Sequence, residues 1–141
     1  MQVRFKRCKD VDKLEKLDSL LFTSEKADGE YDTPSSLWWV AQVNSLDVGF
    51  CGLSVYKSCG ELTGELLRAG VLPAYRGLGL QRRMIRLRDA AARKAGCTAS
   101  ITYTADWNIV SANNLVRCGY RLWRPRDPWG VDHAIYFWKT L

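Results

Sequence analysis

Residues 71–80 constrain the fold of this chain more than any other stretch. Their sequence is Val-Leu-Pro-Ala-Tyr-Arg-Gly-Leu-Gly-Leu, so an apolar run ends in a proline turn and two glycines one residue apart follow. A strongly helical, arginine-rich segment starts immediately afterwards. Because the order strand, glycine turn and helix start leaves several backbone N–H groups without partners at one point, it is typical of an anion-binding loop.

The positive charge of the chain is concentrated in the helix that follows this turn. The net charge is +6, and residues 75–94 account for all of it, because the rest of the chain is neutral. The only acid in that segment is Asp89, and its basic residues are Arg76, Arg82, Arg83, Arg86, Arg88, Arg93 and Lys94. A local field of one sign indicates an anionic ligand or a solvated helix face, and nucleic acid would also suit it.

Length and composition limit the classes of protein to which the chain can belong. With 141 residues, 47% of them hydrophobic, the chain has material for one domain, which we place at residues 1–141. No apolar run approaches the roughly 20 residues of a membrane span, and residues 1–9 lack the apolar stretch of a signal peptide. The five cysteines are scattered without a CxxC pair. We therefore predict a reduced, cytoplasmic protein with no membrane contact and no metal site.

Hydrophobic periodicity predicts a sheet and three helices. Strands are predicted over residues 2–7, 37–43, 48–56, 62–72, 98–104, 120–123 and 134–139. Helices are predicted from Asp10 to residue 22, over residues 78–95, and from Asp106 to residue 117, with the two aspartates as N-caps. The arginines are expected on the surface of the second helix, whose apolar face would comprise Leu80, Met84, Leu87, Ala91 and Ala95.

This order of elements predicts a mixed α/β fold with one central sheet of six to seven strands and helices on both faces. The strands on either side of the second helix are expected to pair in parallel, because a helix separates them. Gly70, near the end of the fourth strand, indicates a bulge or a splay there. Residues 23–36 and 124–132 are predicted to be loops beside a substrate site.

Two motifs resemble the GNAT superfamily of acyl-CoA N-acyltransferases, and the resemblance extends over most of the chain. The first begins at Glu65 and Leu66 and continues into the glycine turn. The family's pattern there is an acid and an apolar residue, then Val-x-Pro-x-(Tyr or Phe)-Arg-Gly-x-Gly-(Ile or Leu). The chain supplies each of these residues, but it has Gln81 where the family usually places Gly or Ala.

The second motif, residues 108–120, is similar to the family's Asn-x-x-Ser-x-x-x-Leu-x-x-x-Gly-Phe block. The resemblance implies that Asn108 hydrogen-bonds the pantetheine arm of the coenzyme and that Ser111, one turn further on, approaches its thiol. Many relatives carry a tyrosine as general acid four residues before the glycine, where this chain has Leu115. Ser111, Tyr103 or a bound water would have to replace that acid.

The resemblance implies an N-acetyltransferase that uses acetyl-CoA as acyl donor and a small-molecule or peptide primary amine as acceptor, by direct attack in a ternary complex. Glu65 is the candidate general base, because a carboxylate on the central strand can take the amine proton directly or through water. A splay between the fourth and fifth strands would expose backbone groups to the coenzyme. The residues expected to bind it are Ala69, Gly70, Val71, Arg76, Gly77, Leu78, Gly79, Leu80, Gln81, Arg82, Asn108 and Ser111.

A function of a different class is an alternative. A catalytically inactive module of the same fold would bind nucleic acid or protein through its basic helix, residues 76–94, and the departures at Gln81 and Leu115 favour this reading. Acidic side chains in the two predicted loops would suit a cationic amine instead. The resemblance also implies a homodimer.

Overall fold

One sheet of seven strands organises the fold, in the order β1-β2-β3-β4-β5-β7-β6. The computed structural model describes residues 1–22, 31 and 33–141. The strands are β1 (Val3–Arg7), β2 (Ser36–Val43), β3 (Leu46–Ser58), β4 (Glu61–Val71), β5 (Ala99–Ala105), β6 (Arg121–Trp123) and β7 (Ala134–Thr140). The helices are α1 (Val11–Leu21), α2 (Leu80–Lys94) and α3 (Ile109–Arg117). None of these helices is long and apolar enough to cross a membrane.

The predicted splay lies between β4 and β5. The two strands pair in parallel, as predicted, but only over Thr63–Glu65 and Ala99–Ile101, although β4 continues to Val71 and β5 to Ala105. At the last point of contact Thr102 Oγ1 donates to Leu66 O at 3.0 Å. The opening between residues 66–71 of β4 and residues 102–105 of β5 is called the wedge below. All other strand pairs are antiparallel.

Helices cover both faces of the sheet, as predicted. Alternation along β2 sends Trp38 to one face and Trp39 to the other, because successive side chains of a strand point to opposite sides. On the first face α1 packs against the sheet through a cluster that contains Leu14, Leu17, Trp38, Val40 and Phe50. On the second face α2 and α3 pack against a larger cluster that contains Leu53, Met84, Ile85, Leu115 and Phe137.

The predicted apolar face of α2 was only partly correct. Leu80 and Met84 are buried as predicted, but Ala95 is exposed and caps the C-terminus. Because the helix lies between the sheet and α3, it buries a wider arc than one stripe. The buried residues that the prediction missed are Ile85, Arg88, Asp89 and Ala92.

The prediction that Asp106 caps the third helix was wrong. Asn108 is the N-cap, and its Oδ1 accepts a hydrogen bond from Ser111 N–H at 3.2 Å. Asp106 lies in the preceding turn, where its backbone N–H donates to His133 O at 2.9 Å. For the first helix, Asp10 is the N-cap as predicted. Most of the loop predicted over residues 23–36 lies outside the described residues.

Candidate functional site

A β-bulge in β4 lies beside the closed end of the wedge. Leu53 pairs with Leu66, and the next pair joins Cys51 to Ala69. The two intervening residues of β4, residues 67 and 68, therefore oppose only residue 52 of β3. The sequence placed this irregularity near Gly70, a few residues too late. The extra residue shifts the alternation of β4 by one position from the bulge onward.

This shift turns the backbone of Ala69 and Val71 toward the wedge. Leu72 N–H donates to Val48 O of β3 at 2.8 Å. Because the polar backbone groups of successive strand residues face opposite sides, those of residues 69 and 71 face away from β3. In agreement, Val71 O accepts a hydrogen bond from Arg76 Nε at 3.0 Å. These two residues of the predicted coenzyme set thus offer backbone donors and acceptors along one wall of the wedge.

Gly70, the residue between them, faces β3 rather than the wedge. Its backbone groups face β3, where it pairs with Phe50. A Cβ atom at this position would lie 2.8 Å from Leu21 Cδ1 and 3.2 Å from a ring carbon of Phe22. A larger residue here would press on the Leu21 and Phe22 side chains, so glycine favours the close contact between the end of α1 and β4.

The glycine turn ends in a helix start without a side-chain cap. Gly77 and Gly79 have φ values of +77° and +78°, in the left-handed region that favours glycine. Gly79 is the N-cap of α2, no side chain caps it, and no acid lies in the first turn. The first intrahelical bond runs from Arg83 N–H to Gly79 O at 3.1 Å. The preceding amides, including those of Leu80 and Gln81, can therefore donate to an anion at the positive end of the helix dipole.

Three arginines near this turn point in different directions. Arg82 lies over the turn, since its Nη2 is 3.8 Å from the position of a Cβ built on Gly79. Arg76 reaches back to the mouth of the wedge through its bond to Val71 O. Arg83 instead stacks over the Phe5 ring at 5.2 Å, away from the turn. Two of the three, Arg76 and Arg82, thus lie near the helix start, where an anion would bind.

Gln81, the departure from the family pattern, joins α2 to α3. Its Nε2 donates to Ser111 Oγ at 2.7 Å, and its Oε1 accepts from Asn114 Nδ2 at 2.8 Å. Because Ser111 N–H is bonded to Asn108 Oδ1, one hydrogen-bonded chain connects the predicted site residues 81, 108 and 111. Leu115, which stands in place of the tyrosine acid, is buried in the core instead.

Among the described residues, one buried side-chain polar atom has no hydrogen-bond partner, Thr104 Oγ1. Thr104 lies on β5 within the wedge, two residues beyond Thr102 and on the same face. A buried hydroxyl without a partner costs about 1–3 kcal/mol, so its presence indicates a place for a ligand polar group. Sequence reasoning missed it, although alternating threonines in a predicted inner strand were a usable signal.

Glu65 lies on the opposite face of the sheet from Ser111. Its side chain shares the α1 face with Ser54, which pairs with it on β3, and with Ile101 on β5. Burial raises the pKa of the nearby Tyr56 hydroxyl, and the negative charge of Glu65 raises it further. The candidate base and the candidate serine therefore flank the wedge from its two sides.

Tyr103 lies two residues after Ile101 on β5, on the same face of the sheet as Glu65 and under an aromatic cluster. Its ring contacts Trp129 and Tyr136 at centroid distances of 6.1 and 6.0 Å. A Cβ on Gly130 would lie 2.8 Å from the Tyr103 ring, so the loop between β6 and β7 rests directly on it. Tyr103 thus shares one face of the sheet with Glu65 and lies on the opposite face from Ser111.

The family model "Acetyltransferase (GNAT) family" matches residues 6–120. A search of curated protein sequences gives no match. Within the described residues, no group of three or more His, Cys, Asp or Glu side chains could hold a metal ion.

Solved structures with the same fold cover nearly the whole chain. A Bacillus subtilis acetyltransferase in complex with CoA has a TM-score of 0.80 at 15% identity, over 99% of either chain. Arabidopsis thaliana Naa50 in complex with the bisubstrate analogue CoA-Ac-MVNAL has a TM-score of 0.80 at 18% identity, over 100% of either chain. An Elizabethkingia anophelis GNAT family acetyltransferase with acetyl-CoA bound has a TM-score of 0.77 at 15% identity, over 99% of this chain and 98% of that one.

These similarities agree with the splayed strands, the glycine turn and the two sequence motifs. The family model spans well over half of the 141 residues. The chain therefore belongs to the acetyltransferase (GNAT) family.

Proposed function

We propose that this protein transfers an acetyl group from acetyl-CoA to a primary amine by direct attack of the amine in a ternary complex. One observation carries the proposal: the wall of the wedge formed by β4 runs directly, through the turn after Val71, into the uncapped start of α2. A ligand with a pyrophosphate and an extended amide-containing arm matches both parts at once. Relatives crystallised with CoA or acetyl-CoA support the same ligand.

The residues present fit this coenzyme. The amides of the turn and of the first turn of α2, with Arg82 above them, would hold the pyrophosphate. The backbone of Ala69 and Val71, and the partnerless hydroxyl of Thr104, would bond the pantetheine arm. Asn108 and Ser111, held in one chain with Gln81, would contact its thiol end.

Bound acetyl-CoA supplies an activated acetyl thioester: the amine nitrogen bonds to the carbonyl carbon, the carbon–sulfur bond breaks, and the sulfur leaves with the electron pair. Glu65 takes the proton from the amine, directly or through water, because a protonated amine has no free electron pair. Ser111, on the opposite side of the wedge, is the proposed donor of the proton to the leaving sulfur. Tyr103 is the alternative donor on the Glu65 face.

The acceptor is a small molecule or peptide that carries a primary amine. The Naa50 neighbour holds a peptide-linked analogue, which supports a peptide acceptor. The face of the sheet that carries Glu65 also carries an aromatic cluster of Tyr103, Trp129 and Tyr136. Aromatic faces and a negative charge together attract a cationic amine before it loses its proton.

The alternative, an inactive module that binds nucleic acid or protein through its basic helix, rests on the charge of that helix and on the departures at Gln81 and Leu115. Arg88 is buried rather than displayed. Arg82 lies over the glycine turn, and Arg83 is stacked on Phe5. Arg82, Arg83 and Arg88 therefore make contacts within the protein, while Arg86, Arg93 and Lys94 are exposed on the helix.

Thermal unfolding with acetyl-CoA tests the proposal. A ligand that binds only the native state stabilises it by about 2.7 kcal/mol at 100 times its Kd, so saturating acetyl-CoA should raise the Tm. The control is S-acetyl-N-acetylcysteamine, which has the thioester but no pyrophosphate and should leave the Tm unchanged. Unchanged melting at saturating acetyl-CoA would contradict the proposal.

Thiol release in the presence of free-amine peptides, polyamines and amino acids identifies the acceptor class. With the best acceptor, Glu65→Gln should lower kcat about 10²–10⁴-fold, the range for a lost general base. The affinity for acetyl-CoA should stay within about threefold of the wild type, because the pyrophosphate contacts are untouched. A Glu65→Gln variant with full kcat would exclude Glu65 as the base.

A further inference from the structure

Arg88 is a buried cation that the proposed mechanism does not use. It lies in the middle of α2 and is 3% exposed. Its Nη1 donates to Gly52 O at 3.2 Å and to Leu67 O at 3.1 Å, and its Nε donates to Met84 O at 3.1 Å. None of these partners is a carboxylate. Because burial of an unpaired charge costs several kcal/mol, a guanidinium at this place requires a gain that a neutral side chain would not give.

Both strand carbonyls that Arg88 binds belong to the β-bulge. Leu67 is the first of the two bulged residues of β4, and Gly52 is the residue of β3 opposite them. A bulge leaves backbone groups outside the regular ladder, and Arg88 satisfies one from either strand. The guanidinium therefore holds the irregular register at its centre from the α2 face of the sheet.

The other face of the bulge is also held by an arginine. Arg68, the second bulged residue, has Nη1 2.9 Å from Asp18 Oδ1 on α1, and Asp18 also accepts a hydrogen bond from Tyr31. The Arg68 guanidinium lies 4.6 Å from the centroid of the Phe22 ring. Side-chain contacts on both faces of the sheet thus stabilise the bulge.

The bulge decides which amide faces the wedge. In a regular strand Ala69 N–H would bond to β3; with the extra residue it turns to the opposite side. Leu67, whose carbonyl Arg88 binds, lies only two residues away, within about 7 Å of Ala69 along an extended chain. Arg88 therefore lies over the junction of β3 and β4, two residues along the chain from the amide that would meet a thioester oxygen.

We propose that Arg88 is a positioning residue for acetyl transfer: it holds the bulge so that Ala69 N–H donates to the thioester carbonyl oxygen in the wedge. The inference rests on the proposed function. As the amine attacks, negative charge grows on that oxygen, and preorganised donors aimed at the growing charge lower the barrier. Arg88 acts through the backbone and does not touch the coenzyme.

Infrared difference spectra of bound acetyl-CoA, labelled with ¹³C at the thioester carbonyl, test the inference. In the wild type the carbonyl stretch should lie below that of free acetyl-CoA. In Arg88→Met it should return most of the way to the free value, and in Arg88→Lys, which keeps an N–H donor, it should lie between the two. Arg93→Met is the matched control, because Arg93 is an exposed arginine of the same helix, and it should leave the stretch at the wild-type value.

Calorimetry with coenzyme A, which has no carbonyl, separates polarisation from binding. Its affinity for Arg88→Met should stay within about threefold of the wild type, since the pyrophosphate contacts lie elsewhere. Arg88 variants that bind coenzyme A and show the wild-type carbonyl stretch would overturn the inference and leave the proposed function intact. A wild type that binds neither acetyl-CoA nor coenzyme A would instead overturn the proposed function, and the inference with it.

A wild-type measurement keeps the test decisive if Arg88→Met fails to fold. In ¹⁵N–¹H spectra the Ala69 amide proton should move downfield when coenzyme A is exchanged for acetyl-CoA. The Gly70 amide, which faces β3, serves as the internal control and should move less. An Ala69 resonance that is the same with both ligands would overturn the inference.

Discussion

The two halves of α2 differ in whether their polar groups have partners within the protein. At its start, Gly79 leaves the first amides uncapped, and Gln81 bonds only to neutral side chains of α3. In its second half, Arg88 and Asp89 are adjacent, oppositely charged and both buried, with hydrogen bonds to separate partners. The start thus keeps donors for a ligand, while the second half satisfies its polar groups within the protein. The difference predicts that loss of the Asp89 carboxylate destabilises the fold, and that strain in the glycine turn weakens ligand binding.

Asp89 is the centre of the internal network. Its Oδ1 accepts a hydrogen bond from the Tyr120 hydroxyl at 2.5 Å, and its Oδ2 lies 2.9 Å from Lys139 Nζ. The Tyr120 hydroxyl also shares a hydrogen bond with Ser100 Oγ at 2.8 Å, and Lys139 donates to Cys118 O at 2.7 Å. One carboxylate therefore ties α2 to β5, to β7 and to the end of α3.

The largest expected effect is that of Asp89→Ala. Removal of one partner of a buried ion pair leaves the other charge uncompensated and should cost about 3–5 kcal/mol of the free energy of unfolding. Urea unfolding measures it. The control Asp106→Ala removes an exposed carboxylate that does not cap α3 and should change that free energy by less than about 0.5 kcal/mol. Similar losses in the two variants would contradict the contrast.

Alkaline pH should weaken the same half of the helix. Burial, and then the charge of Asp89, raise the pKa of Tyr120 well above its usual value. Burial also raises the pKa of Cys51 from 9.0 to about 11. In both cases the unfolded chain loses its proton first, so stability is complete below the unfolded pKa and falls as pH rises through it, by up to about 1.4 kcal/mol per pH unit and group.

Chemical unfolding between pH 8 and 11 measures this dependence. The loss should begin near pH 9 with Cys51 and steepen above about pH 10 with Tyr120. Tyr120→Phe should show a shallower loss above pH 10, and Cys51→Ala a shallower loss between pH 9 and 10. A Tyr120→Phe curve parallel to that of the wild type throughout would show that this tyrosine is not the titrating group.

Substitution at the start of the helix should affect the ligand more than the fold. Gly79→Ala places a side chain at φ +78°, which costs about 1–2 kcal/mol. Gly60→Ala is the matched control, because Gly60 has φ +83° with no atom within 4 Å of its Cβ position and lies in the β3–β4 turn. The two variants should lose similar stability. Only Gly79→Ala should weaken acetyl-CoA binding, by about tenfold or more, since it strains the turn that aims the amides. Equal affinities would contradict the assignment of this turn as the pyrophosphate site.

The start of α2 was predictable from sequence, and its second half was not. Glycines adopt left-handed backbone angles whatever lies far away in the chain, so residues 71–80 predicted the turn and the helix start that follows it. Arg88 and Asp89 look like surface residues in any window of the helix. Their burial depends on Gly52, Leu67, Tyr120 and Lys139, which lie far away in the chain.

The position of the bulge could not be predicted from the sequence either. The sequence indicated an irregularity through Gly70, but that glycine serves the contact with α1. The extra residue arises at Leu67 and Arg68, which have no unusual backbone preference; side-chain contacts on the two faces of the sheet hold them there. The splay itself was predicted through a resemblance. Its exact register depends on long-range contacts that no local pattern contains.

The smallest expected effect is that of Gln81→Ala. The family usually has a small residue at this position, and a long side chain that lay over the glycine turn would obstruct the coenzyme. The side chain instead bonds to Ser111 and Asn114, so its loss should cost only about 1 kcal/mol of the free energy of unfolding. Gln42→Ala is the control, because Gln42 makes a comparable bond to Asp47 far from the site. Calorimetry should find acetyl-CoA affinities within about threefold of the wild type for both variants, because neither side chain lies over the helix start. A tenfold gain in acetyl-CoA affinity for Gln81→Ala alone would show that the glutamine obstructs the pyrophosphate site, and that the start of α2 is not kept open for a ligand.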